Sequence, residues 1–166
     1  EVIDDMPETF TGRCLGLDFG FVNDPTAIVD IRMEGWDLYV DLLCYEQGLL
    51  NSHIADYLNA NALNRVITVC DSAEQKSIVE LQQKRIKAIP CVKGRGSVAA
   101  GIAQVKQFKL HVTKRSVKLL DELDNYKWIK DEVSDTYTNE AIDAWNHALD
   151  ALRYGVDFLI RKYRPK

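Results

Sequence analysis

The sequence predicts an α/β fold with a mixed sheet, an antiparallel three-strand meander plus parallel strands, flanked by helices. Three observations lead there. Apolar runs at residues 14–18, 26–31 and 36–45 are joined by short turns, as in consecutive hairpins. Beyond residue 50, helical periodicities alternate with short apolar runs, as when parallel strands are joined by crossovers. The chain then closes on a long amphipathic helix.

Each element has its own reason. Residues 1–12 read as an extended lead-in. CLGLD (14–18) is apolar enough for a strand, yet it carries Asp18 between Leu17 and Phe19. FVNDP (21–25) is a turn by its Asn, Asp and Pro. The second strand follows at 26–31. Glu34 and Gly35 punctuate, and WDLYVDLLCY (36–45) makes the third strand, with Asp37 and Asp41 interleaved among aromatic and branched residues. Asn51 or Ser52 is the expected cap of a helix whose stripe is Ile54, Ala55, Leu58, Ala60 and Ala62. RVITVCD (65–71) is nearly continuous apolar sequence ending in an acid, which suits a strand buried on both faces. A helix is expected from Ser72 to about residue 84, then a short strand in IKAIPCV (86–92), interrupted by Pro90, and a KGRGS loop (93–97). Helix at 98–107, strand at 109–113 and helix at 116–124 follow. KDEVSDTYT (130–138) reads as a polar loop. The last helix is expected from about 139 to 162.

Composition bounds the function. With 166 residues, of which 46% are apolar, the chain suits one domain with one real core. It has no apolar run of about 18 residues for a membrane span, so no membrane partner is expected. The acidic start, EVIDDMPETF, is no signal peptide, and the absence of Met at position 1 suggests a piece of a longer protein. Cys14, Cys44, Cys70 and Cys91 form no C-x-x-C pair, which argues against zinc and for reduced, cytosolic thiols. A net charge of -4 disfavours a protein that coats nucleic acid. It leaves room for a nuclease, whose clustered carboxylates divalent ions would neutralise.

The chemistry rests on acids. Asp18 lies in the first strand, Asp71 ends the buried strand, and the terminal helix carries Asp143, His147 and Asp150. Spacings of four, three and four put Asp143, His147, Asp150 and Tyr154 on one helix face, opposite an apolar stripe of Ala141, Trp145, Ala148, Leu152, Val156 and Leu159. Asp143 and Asp150 are roughly 10 Å apart along the axis, too far to serve one metal pair about 3.5–4 Å wide. Each acid also has a structural reading: Asp71 as a cap of the next helix, the helix acids as a solvated face, Asp18 as the partner of an Arg or Lys. Lys93 and Arg95, between glycines in KGRG, are candidates to follow DNA phosphates. A plain surface turn is the alternative. Lys84, Arg85 and Lys87 and the terminal RKYRPK are further basic runs.

Strand acid, strand-end acid and terminal-helix acid recur in this order in metal nucleases of the ribonuclease H-like fold. The motifs GLDFGFVNDPTA, VCDSAEQKSI and NHALDALRYG extend the likeness. From Leu15 to Lys162 the chain resembles the C-terminal nuclease domain of the large terminase subunit of tailed bacteriophages. The resemblance implies a ribonuclease H-like mixed sheet spanning residues 1–166 as one nuclease domain. It implies an endonuclease that cuts double-stranded viral DNA during genome packaging, by two-metal-ion hydrolysis with Mg²⁺ or Mn²⁺. Asp18 would be the shared ligand, Asp71 the second acid and Asp150 the third, with His147 an auxiliary ligand or a group behind the ligands. The role of Asp143 stays open. Residues 1–12 would lead in from an upstream ATPase domain, since no G-x-x-x-x-G-K-[ST] loop is present. The small terminase subunit and the portal would be further partners, in the cytoplasm of the infected bacterial host. Three rivals share parts of the pattern: a junction resolvase or integrase of the same fold, an ATP-binding sugar-kinase or actin-like protein suggested by LDFG, and a non-catalytic docking module of the packaging motor. The second would need another glycine-rich phosphate loop and about twice the length.

Overall fold

The computed structural model describes residues 1–94, 97–126 and 146–165, together with residues 128–131 and 136–141 as strand backbone. The meander is built as its hydrophobic pattern requires. β1 (Val2–Ile3) comes first, and then β2 (Gly12–Asp18), β3 (Thr26–Glu34) and β4 (Asp37–Glu46) pair antiparallel in succession. The chain crosses through α1 (Asn51–Ala60) to β5 (Thr68–Cys70), which lies parallel to β2 with Leu17 opposite Cys70. α2 (Gln75–Gln83) leads to β6 (Ala88–Pro90), parallel to β5, and α3 (Ser97–Val105) leads to β7 (Lys109–Thr113), parallel to β4 on the opposite side. α4 (Val117–Asn125), a two-stranded hairpin of β8 (Trp128–Asp131) and β9 (Thr136–Ala141), and α5 (His147–Tyr163) complete the order. The main sheet runs β1-β7-β4-β3-β2-β5-β6, which is the mixed sheet expected.

Strand alternation sorts the core into two layers. Leu15 and Leu17 of β2 point to one face, where they meet Ile54, Ala55 and Leu58 of α1 and Ile78 and Leu81 of α2. Cys14 points to the other, with Ala148, Ala151, Leu152, Val156 and Leu159 of α5 and Leu119 of α4. Gly16 shares that second face. A Cβ placed there would lie 1.9 Å from the backbone oxygen of Ala151, so β2 and α5 touch backbone to backbone. All four cysteines are free thiols. Among the described residues no helix is long and apolar enough to cross a membrane.

Five local expectations need correction. Residues 130–138 include parts of both strands of the β8–β9 hairpin, which pairs outside the main sheet and whose polar sequence carries no alternating apolar pattern to announce a strand. The terminal helix starts at His147, not near 139, because its open N–H groups find their partner there: the buried Glu122 carboxylate accepts the N–H of Ala148 at 3.2 Å and of Leu149 at 2.9 Å. α2 starts at Gln75, because Asp71 Oδ1 accepts the N–H of Ala73 at 2.9 Å and holds residues 72–73 in a turn. Neither Asn51 nor Ser52 caps α1; the N-cap is Leu50, whose N–H donates to His53 Nδ1 at 3.1 Å. Part of the lead-in is an edge strand, β1, parallel to β7.

Candidate active site

Asp18 is the last residue of β2, at the carboxyl end of the strand rather than inside it. By alternation it shares the face of Cys14 and Gly16, toward α5. Asp71 directly follows β5, the parallel neighbour of β2, so the two acids leave the same edge of the sheet side by side. Asp150 stands in the first turn of α5, which crosses that edge. Three elements distant in sequence thus deliver one carboxylate each to one end of the sheet.

The other buried sheet acids show what a structural carboxylate looks like here. Asp30 is held by Arg13 at 2.9 Å and Arg32 at 3.1 Å. Asp41 is held by Arg115 at 2.7 Å and by the Thr113 hydroxyl at 2.6 Å. Asp18, only 8% exposed, faces instead the imidazole of His147, Nδ1 to Oδ2 at 3.5 Å, while His147 Nε2 lies 3.6 Å from Asp24. Burial pushes the Asp18 carboxyl up to about 6; the hydrogen bond from His147 opposes this, and the charges of Asp150 and Asp71 add to it. Asp18 in turn raises the pKa of His147. A buried carboxylate surrounded by other acids favours any cation that reaches it.

Asp71 and Asp150 each carry a base. Asp71 Oδ1 accepts from Lys93 Nζ at 2.5 Å as well as from the Ala73 N–H. Asp150 Oδ1 accepts from an Arg153 terminal nitrogen at 2.7 Å. Both bases lie over the ring of the buried Tyr154, Lys93 at 5.4 Å and Arg153 at 5.5 Å from its centroid. The Tyr154 phenol is pushed up by burial first, then by the charges of Asp18, Asp150 and Asp71. Among the described residues no three His, Cys, Asp or Glu side chains form a group that could hold a metal ion.

The structure therefore brings Asp18, Asp71, His147 and Asp150 together and adds Lys93, which the sequence placed on a DNA-facing loop. His147, Asp150 and Tyr154 do share a helix face, and Ala148, Leu152, Val156 and Leu159 are buried, as the spacing requires. Arg95 and Asp143 lie outside the described residues. Sequence reasoning missed Glu122. The signal was present: Glu122 sits three residues after Leu119 and one before Leu123, a carboxylate on the apolar stripe of α4.

The family model for the terminase RNase H-like domain matches residues 18–157. The fold is similar to the Mn-bound nuclease domain of the large terminase g2p from bacteriophage SPP1 (TM-score 0.84, 22% identity, 95% of each chain covered). It is similar to the Mg-bound large terminase nuclease from thermophilic phage G20c (TM-score 0.65, 20% identity, 93% of this chain and 84% of that one). The large terminase of another thermophilic bacteriophage also matches (TM-score 0.75, 20% identity), with 96% of this chain covering 42% of that longer one. A search of curated protein sequences finds no match. An RNase H-like mixed sheet, acids on β2, just after β5 and on α5 at one end of that sheet, and a family match over residues 18–157 lead to one conclusion: the chain belongs to the terminase RNase H-like domain family.

Proposed function

We propose that this domain is a divalent-metal-dependent endonuclease that cuts double-stranded viral DNA during genome packaging. The observation that carries the reading is the placement of Asp18, Asp71 and Asp150 at one end of the sheet by three separate elements, with the charges of Asp71 and Asp150 both reaching Asp18. Family membership supports it, as do relatives solved with manganese and with magnesium.

The donor set fits such ions. Three carboxylates offer only hard oxygen ligands, which suit Mg²⁺ or Mn²⁺. The buried Asp18, its pKa raised by burial and by its acidic neighbours, is a group that gains from a cation. Asp18 would be shared between two ions, with Asp71 and Asp150 each holding one and His147 as an auxiliary ligand or a group that orients Asp18. When bound, the ions would supply a nucleophilic water and stabilise the leaving oxygen of the phosphodiester. The chain's own residues do the rest. The rigid β2–α5 contact sets the spacing of Asp18 and Asp150, and His147 holds a donor against Asp18. Lys93, with Arg95 beside it in sequence, supplies positive charge where flanking phosphates would pass. In the full-length protein we place residues 1–166 as the nuclease domain after an upstream ATPase. The small terminase subunit and portal are its partners, in the cytoplasm of the infected bacterium.

The test is cleavage of supercoiled plasmid with Mg²⁺ or Mn²⁺ and with chelator, for the wild type and for Asp18→Asn, Asp71→Asn and Asp150→Asn. Metal-dependent nicking and linearisation, lost in each variant with the fold retained, is the expected result. Undiminished cutting in chelator refutes the metal reading. Full activity of Asp150→Asn beside a dead Asp143→Asn would move the helix ligand to Asp143.

A further inference from the structure

The two bases in the site are held very differently. Arg153 is rooted on α5 and only 9% exposed, and its Cδ runs 3.1 Å from where a Cβ of Gly101 would stand, so α3 fixes it in place. Lys93 has a side chain 38% exposed, is followed by the unhindered Gly94, and lines an open cleft between α3 and α5 with Ser97, Gln104 and Arg161. Arg153 cannot leave Asp150 without disturbing two helices, whereas Lys93 can leave Asp71 by rotating its stem. Its target in this structure, Asp71 Oδ1, also accepts a backbone hydrogen bond, so the ammonium stands directly against the carboxylate that a metal ion would approach.

We propose that Lys93 is an exchangeable counter-ion. It neutralises Asp71 while no divalent ion is bound, is displaced when one arrives, and then binds a phosphate of the DNA backbone. Metal binding and DNA binding are thereby coupled through one side chain. The inference rests on Asp71 being a metal ligand. Its physical basis is local charge: the acids and their two bases nearly balance, and two divalent ions would make the site strongly positive, repelling the lysine and attracting phosphate. A flexible four-carbon stem with a compact ammonium suits such an exchange better than a forked guanidinium does. The ring of Tyr154, 5.4 Å from Nζ, flanks the group at its starting position.

The experiment measures Mn²⁺ affinity by titration calorimetry for the wild type, Lys93→Met, the exposed-lysine control Lys76→Met at the start of α2, and Asp71→Asn. It also measures duplex affinity against salt for the wild type and Lys93→Met, once in Ca²⁺ and once in chelator. Lys93→Met should bind Mn²⁺ up to about fivefold more tightly, the scale of a partly exposed ion pair, while Lys76→Met stays near the wild type. The salt slope of duplex binding should fall by about one unit in Lys93→Met with Ca²⁺ present and be unchanged in chelator. Equal Mn²⁺ affinity in Lys93→Met and wild type overturns the proposal, as does an equal rise in Lys76→Met or a slope loss that ignores Ca²⁺. If Asp71→Asn binds Mn²⁺ as the wild type does, the metal role of Asp71 falls and the exchange falls with it. If Asp71→Asn weakens binding and Lys93→Met changes nothing, only the exchange is wrong.

Discussion

The carboxylate of Glu122 accepts the backbone N–H of Leu149, and the next residue is Asp150. One buried acid on α4 therefore fixes the helix end that presents another. Glu122 also accepts the N–H of Ala148 and the hydroxyl of Tyr45 at 2.8 Å. Its negative charge lies at the positive end of the α5 dipole, where it stabilises the helix.

Glu122→Ala is expected to lower stability by about 2–4 kcal/mol, because it strands two helix N–H groups and a half-buried hydroxyl. Glu122→Gln, which keeps an acceptor, should recover part of the loss. Chemical denaturation of the two variants checks this; a neutral Glu122→Ala would mean that water replaces the carboxylate.

Asp18 gives a pH-dependent prediction. Burial lifts its pKa from 3.8 to about 6, so the folded chain holds this proton more tightly than the unfolded chain does. Stability is then lost as pH rises from about 4 to about 6, and the penalty is complete above that range. His147 acts in the same direction: its raised pKa, due first to Asp18, gives stability that is present at low pH and lost as the imidazole deprotonates. In chelator near neutral pH, Asp18→Asn should be more stable than the wild type by about 1–3 kcal/mol. The gap should close as pH falls toward about 4. Thermal melts across this range measure it, and a wild type that is the more stable protein at neutral pH contradicts it.

Arg153→Met should behave unlike Lys93→Met. It leaves Asp150 without its base in a mostly buried position, a loss of about 1–3 kcal/mol after allowing for the partial exposure of the acid. A lower melting temperature in chelator, partly restored by Mn²⁺, is the expected pattern. An unchanged melting temperature would show that the pair contributes nothing.

Gly16→Ala should be among the most damaging single changes in the sheet. The added methyl would meet the Ala151 carbonyl, which is backbone and cannot rotate away. Displacing α5 should cost about 3 kcal/mol or more, read as a large drop in the denaturation midpoint. Ala-sized tolerance at this position would mean that α5 is free to lift.

Much of this was readable in advance, for identifiable reasons. The meander announced itself because β2, β3 and β4 carry apolar runs joined by short turns, and Asp18, Asp71 and Asp150 stood out as acids placed against apolar neighbours. The β8–β9 hairpin did not, because polar residues such as Lys130, Asp131 and Thr136 give a ribbon no hydrophobic period. The start of α5 was misplaced because its cap comes from Glu122, 27 residues before Leu149 and on another helix. Lys93 was seen as a basic loop residue, but its partner Asp71 is 22 positions away, and only the parallel pairing of β5 with β6 brings the two together.

The meeting of Gly16 with Ala151 has a wider consequence. Where two backbones touch, the distance between them does not depend on which side chains fill the surrounding core. The gauge that sets Asp18 against Asp150 is thus insulated from drift elsewhere: leucines and valines around α5 can be exchanged over generations, and the interval between the two acids stays the same so long as position 16 remains bare.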